Sequence, residues 1–188
     1  MSHNFVKKSL GDSCKISWVS SPNYGERKLP ITAVVIHYTQ LGSDETVSKF
    51  SDPFEKVSAH FLIHKDATFT QFVCCSKRAW HAGVSSFKGQ EDVNSLSIGI
   101  ELEYLGPDEN GNFPSYEKPQ ILSLVKLLDI LVKKYNIPYD HIVGHSDIAP
   151  LRKIDPGPMF PWDFLGKHGF KNCFPSIKNL LDQKLRVL

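Results

Sequence analysis

The segment Ile31-Thr32-Ala33-Val34-Val35-Ile36-His37 is a β-branched apolar run in which polar residues do not alternate. A strand wetted on one face alternates, whereas a strand covered on both faces does not. The run therefore predicts a strand in the centre of a sheet that is layered on both sides. A second segment reads differently, because Leu96, Ile98, Ile100 and Leu102 alternate with other residues. That pattern puts these four on one face of a strand and Glu101 with Glu103 on the other. Ala59–His64 and Thr68–Val73 flank Lys65-Asp66-Ala67 at a spacing that suits a hairpin.

Beyond Pro119 the period changes. Ile121, Leu124, Val125, Leu128, Leu131, Val132 and Tyr135 recur at helical spacing, and Pro119 is tolerated in a first turn. Shorter helical patterns run from about Asp44 to Phe50 and from about Ser176 to Leu185. Interleaved strands and helices give an α/β or α+β class, with a mixed central sheet of about five to six strands flanked by helices. At 188 residues and 41% hydrophobic content the chain can bury one substantial core and is short for two ordinary domains. Residues 1–188 are therefore expected to form a single domain, without repeats or linkers.

Composition excludes several classes of function. A formal net charge of +2, with lysines and arginines scattered, leaves no footprint for nucleic acid or for a membrane surface. No window is apolar for the roughly eighteen residues of a membrane span, and the N-terminal lysines precede no apolar stretch, so a cytoplasmic protein is expected. The alternative is a periplasmic one whose export signal is missing from this chain. Cys14, Cys74, Cys75 and Cys173 form no C-x-x-C pair and are expected to be reduced thiols.

Eight histidines invite a metal reading. His60 and His64 have the spacing of a chelating pair only on a helix; on a strand they stand about 13 Å apart, too far for one ion. His37 differs, because it ends the buried apolar strand where open sheets place their ligands. His145 ends another short apolar stretch, and a turn-rich segment leads from it to Lys153 and Asp155-Pro156-Gly157-Pro158. Two neutral imidazoles and one carboxylate give zinc three protein ligands and leave a fourth position open for water. His37, His145 and Asp155 fit those roles. Such a site also needs a carboxylate to take a proton from water and a donor for the developing oxyanion, for which Glu101 and Lys153 are candidates.

Six motifs in order carry a resemblance: Val35-Ile36-His37-Tyr38-Thr39; Val57–Ile63; Arg78-Ala79-Trp80-His81-Ala82-Gly83-Val84; Asn94–Glu103; Gly144–Pro150; and Arg152–Pro158. Over about residues 31–164 the chain resembles the type 2 N-acetylmuramoyl-L-alanine amidases, whose bacterial members include AmpD and AmiD types. The resemblance implies one zinc ion on His37, His145 and Asp155, a catalytic Glu101 rather than Glu103, and an oxyanion-stabilising Lys153. It further implies hydrolysis of the amide between N-acetylmuramic acid, or its 1,6-anhydro form, and L-alanine in peptidoglycan or muropeptides. Trp80, His81 and Asn94 are expected to shape the substrate groove. A monomer without a separate wall-binding domain is expected, and the rival reading is a recognition module that binds muropeptides without cutting them.

Overall fold

The computed structural model describes residues 4–11 and 14–171. In chain order the elements are α1 (Asn4–Leu10), β1 (Ile16–Trp18), β2 (Tyr24–Glu26), β3 (Ala33–Tyr38), α2 (Ser43–Ser51), β4 (Phe61–Ile63), β5 (Phe69–Gln71) and β6 (Lys77–Ala79). They continue with α3 (Val93–Leu96), β7 (Ser97–Leu102), α4 (Lys118–Tyr135), β8 (Ile142–Gly144), α5 (His145–Ile148) and α6 (Trp162–Lys167). Six strands form a mixed sheet in the order β1-β5-β4-β7-β3-β8, and β2 pairs with β6 in a separate ribbon. β3 runs parallel to β7 on one side and to β8 on the other, and all of its residues are buried. The unalternating run thus lies where its composition requires.

One sheet face packs under α4. Val34, Ile36, Ile98, Ile100, Leu102, Phe61 and Ile63 meet Ile121, Leu124, Leu127, Leu128 and Leu131, and Leu165 of α6 joins the same core. The helical period read from the sequence is this stripe. On the other face lie two smaller clusters, one around Ala33, Val35, Val93, Leu96 and Val143, the other around Phe50, Ala59, Leu62 and Phe72. Glu101 pairs in register with His37 on one side and Leu62 on the other, so these two polar residues fall where the small clusters meet.

The hairpin between β4 and β5 is antiparallel and is closed by Ala67 N–H on the His64 carbonyl. Leu96 departs from the expected alternation. It ends α3 and packs with Ala33 and Val35, because the turn from Asp92 to Ser95 delays the pleat until Ser97. The helical pattern at about 176–185 lies outside the described residues. Cys14 and Cys75 are free thiols. Among the described residues no helix is long and apolar enough to cross a membrane.

Candidate active site

His37, His145 and Asp155 come together from a strand end, a helix start and a loop. His37 Nδ1 lies 2.9 Å from His145 Nδ1 and 3.1 Å from Asp155 Oδ2, and His145 Nδ1 is 3.1 Å from the same oxygen. All three residues are buried. Tetrahedral zinc with bonds of about 2.0–2.1 Å holds its donor atoms roughly 3.3 Å apart. The triangle therefore fits such an ion after opening by a few tenths of an ångström. The chemistry of the donors agrees. His145 Nε2 lies 3.0 Å from the Ala82 carbonyl oxygen, which can only accept, so the neutral ring carries its proton there and turns a lone pair on the triangle.

Local sequence explains how the two ligand segments meet. A Cβ on Gly144 would stand 2.6 Å from Pro156 Cδ, so only glycine lets the strand end and the loop touch. Ser146 N–H donates to the Asp155 carbonyl, and Gly144 N–H donates to Asp147 Oδ2. From the far side, the Tyr116 hydroxyl donates to the Pro156 carbonyl at 2.8 Å, and its ring stacks on Tyr104 at 4.3 Å.

Burial dominates the electrostatics. It pushes His37 down to about 4 against the opposing influence of Asp155, so the ring is neutral near pH 7. Burial alone would raise Asp155, but hydrogen bonds and positive charge that His145 and His37 can supply only in their protonated forms hold it well below the usual carboxylate range. Glu101 is pushed up to about 8 by burial and then by the charge of Asp155, with Lys153 opposing. Its Oε2 has no hydrogen-bond partner in the described structure. Lys153 and Glu101 both line, with the three converging residues, a cleft of about 450 Å³. Glu103 is engaged elsewhere, accepting the Lys65 N–H at 3.0 Å and lying 4.0 Å from His64.

Of the residues expected to shape a substrate groove, His81 alone lines this cleft. Its Nδ1 is 3.0 Å from His37 Nε2, and burial holds the ring neutral, its pKa well below the ordinary value. Asn94 faces the loop rather than the cleft: its Oδ1 accepts the backbone N–H groups of His81 and Ala82. The Trp80 indole lies beside Gly25 of β2, its nitrogen 3.8 Å from where a Cβ on that glycine would stand. His60 is a structural ring, accepting the Gly99 N–H and touching Arg27.

Two arginines escaped the sequence reading. Arg152 clamps the Ala82 and Val84 carbonyls, each at 2.7 Å, so the loop that orients His145 is tied to the segment that carries Asp155. The Arg27 guanidinium donates to the carbonyls of Cys75, Asn94, Ser95 and Ser97. Adjacency of Arg152 to Lys153 was the one available signal for the first; the second has none, because its acceptors are backbone groups far along the chain.

A mixed sheet with two imidazoles and a loop carboxylate gathered at the carboxyl ends of β3 and β8, and a buried glutamate alongside, has the frame of a single-metal hydrolase. Comparison with known proteins gives the family. A family model described as N-acetylmuramoyl-L-alanine amidase matches residues 27–158, and the chain belongs to this family. It is 37% identical over 179 residues to the 1,6-anhydro-N-acetylmuramyl-L-alanine amidase AmpD of Haemophilus influenzae, covering 84% of this chain and 93% of that protein. It is also 37% identical over 149 residues to the N-acetylmuramoyl-L-alanine amidase AmiD of Escherichia coli, covering 74% of this chain and 53% of that protein. Among solved structures, a selenomethionine AmpD derivative superposes with a TM-score of 0.73 at 32% identity, covering 86% of this chain and 97% of that one. Escherichia coli AmiD bound to anhydro-N-acetylmuramic acid-L-Ala-D-γ-Glu-L-Lys superposes with a TM-score of 0.70 at 33% identity, covering 78% of this chain and 66% of that one.

Proposed function

We propose that this chain hydrolyses the amide bond between N-acetylmuramic acid, or its 1,6-anhydro form, and L-alanine in peptidoglycan fragments, using one zinc ion on His37, His145 and Asp155. The observation that carries the reading is the pairing of His37 with Glu101 in adjacent parallel strands, which sets a buried carboxyl group beside the converging donors. When bound, zinc supplies Lewis acidity to water and to the amide carbonyl. Glu101 takes the proton from the attacking water and hands it to the departing amine of L-alanine, acting as base and then as acid. A neighbouring cation favours its ionised form, so its metal-free value of about 8 is the upper end of its range. The Lys153 ammonium, at the cleft wall, donates to the oxygen that gains charge as the carbonyl is attacked. The peptide and sugar lie in the cleft that these residues line.

Support for the substrate comes from the AmpD and AmiD relatives, and the muropeptide bound in the AmiD structure is the ligand class expected here. The reading includes a single catalytic domain, a monomer and a cytoplasmic location, which size-exclusion chromatography and cell fractionation test. The decisive experiment digests intact sacculi and anhydro-muropeptides in parallel and follows products by mass spectrometry. A free stem peptide beginning with L-alanine is expected. A zinc-loaded protein that binds muropeptide and never releases that peptide is a recognition module instead.

A further inference from the structure

One carbonyl fixes the lone pair that His145 turns on the metal site; that of His37 is fixed at longer range. His37 Nε2 lies 3.0 Å from His81 Nδ1. On the far side of that ring, His81 Nε2 lies 3.3 Å from Ser97 Oγ, and the hydroxyl lies 2.5 Å from the Val93 carbonyl oxygen. A carbonyl only accepts, so Ser97 gives its single hydrogen to Val93. Ser97 Oγ is then left to accept, and neutral His81 must carry its proton on Nε2. Its Nδ1 is bare and accepts in turn, so His37 donates through Nε2 and its own Nδ1 is bare. That nitrogen is the one standing 2.9 Å from His145 Nδ1 and 3.1 Å from Asp155 Oδ2.

We propose that this chain of hydrogen bonds, from Val93 through Ser97 and His81 to His37, sets the tautomer of His37 and makes His81 a positioning residue for a metal ligand. The inference rests on the reading of His37, His145 and Asp155 as a zinc site. It sharpens that reading, because three bare acceptors then converge with no hydrogen among them. Such a convergence is unfavourable until a cation enters.

The middle ring of the chain must be held still, and two features hold it. Gly99 provides the seat: a Cβ there would stand 2.4 Å from His81 Cγ and 2.7 Å from its Nδ1, so no side chain fits beneath the ring. Gly99 pairs with Val35, two residues before His37 on the same strand. The Asn94 amide anchors the backbone, accepting the N–H of His81 at 2.9 Å and of Ala82 at 2.8 Å. Gly99 acts on the metal site through His81, and Asn94 acts through His81 and through Ala82, whose carbonyl faces His145 Nε2.

Zinc affinity, measured by competition with a chromophoric chelator, tests the proposal, with circular dichroism of each metal-free protein as the folding control. His81→Ala should bind zinc about 10- to 100-fold more weakly, and His81→Gln, whose amide oxygen can accept from His37 Nε2, should recover part of that. Gly99→Ala touches no ligand, yet should weaken binding as well. Combined with His81→Ala it should add nothing, because the ring it displaces is gone. If Gly99→Ala does not fold, Ser97→Ala replaces it and should cost several-fold in affinity. Nitrogen-15 spectra of the zinc-loaded protein should find His81 protonated on Nε2. A wild type that binds no zinc overturns the metal-site reading itself. A wild type that binds zinc while folded His81→Ala binds it equally well, or a His81 protonated on Nδ1, overturns the hydrogen-bond chain alone.

Discussion

Glu101 has an ordinary value of 4.5 and is pushed up to about 8 in the folded, metal-free protein. Between those two values the folded protein keeps a proton that the unfolded chain has lost, so the contribution of Glu101 to stability falls as pH rises through the window and levels off above about 8, while His37, His60 and His81, whose pKa values burial lowers, contribute the opposite slope below about 6.5. Half-buried Asp147, raised to about 6, adds a slope of the same sign as that of Glu101 over a lower range. Glu101→Gln should abolish the part between about 6 and 8, melting higher than wild type near the top of that range when both are metal-free. Thermal melts in chelator across that range check it; parallel curves for the two proteins would remove Glu101 as the cause. With zinc present, the same substitution should lower turnover by roughly 10²- to 10⁴-fold and leave metal content unchanged, as metal analysis and product release can establish. Glu103→Ala should leave turnover near the wild-type value, since that carboxylate bonds the Lys65 N–H away from the converging donors. At this scale the sequence was informative where chemistry sits at an element boundary: His37 closes an apolar strand, and Asp155 precedes a proline in a turn-rich loop. It assigned no role to Gly99 or Arg152 and gave Asn94 a place in the substrate groove rather than on the backbone of His81 and Ala82, because these contacts across many residues are not encoded in spacing.

Among the elements, α4 was the most legible, its period running along one continuous buried stripe from Ile121 to Leu131. Leu128→Ala removes a fully buried side chain from that stripe and should cost about 2–5 kcal/mol in a denaturant titration. A loss below about 0.5 kcal/mol would mean that the stripe is not the core. The three-residue strands β2 and β6 were illegible, because so short a ribbon has too few positions to establish a period. The short helix α3 was hidden for a related reason: four residues of helix ahead of an alternating strand merge with its pattern. What stabilises the region around α3 is Arg27, whose guanidinium satisfies the carbonyls of Cys75, Asn94, Ser95 and Ser97. Arg27→Ala leaves those groups buried without a donor and should destabilise the protein on the order of 3 kcal/mol or more. Urea melts are the measurement, and a change within about 0.5 kcal/mol would mean that water replaces the guanidinium at no cost.

For the whole molecule, the apolar core lies largely on the sheet face opposite His37, His145 and Asp155, so the fold and the proposed metal site are separable. Chelation should leave the far-ultraviolet circular dichroism unchanged, while zinc at about a hundred times its dissociation constant should raise stability by roughly 2.7 kcal/mol. Loss of secondary structure on chelation would make the ion structural instead. His37 and Asp155 are 118 positions apart, and β8, which leads into His145, docks directly on the strand that carries His37. At synthesis rates of about 5–20 residues per second, roughly 6–24 s separate the appearance of the first donor from that of the last. Throughout that interval the growing polypeptide offers an incoming ion a single imidazole from this set, then two, and never the complete triangle. Which metal is captured is therefore decided by a finished scaffold, after translation has passed the loop, and not by whatever ion a nascent strand meets first.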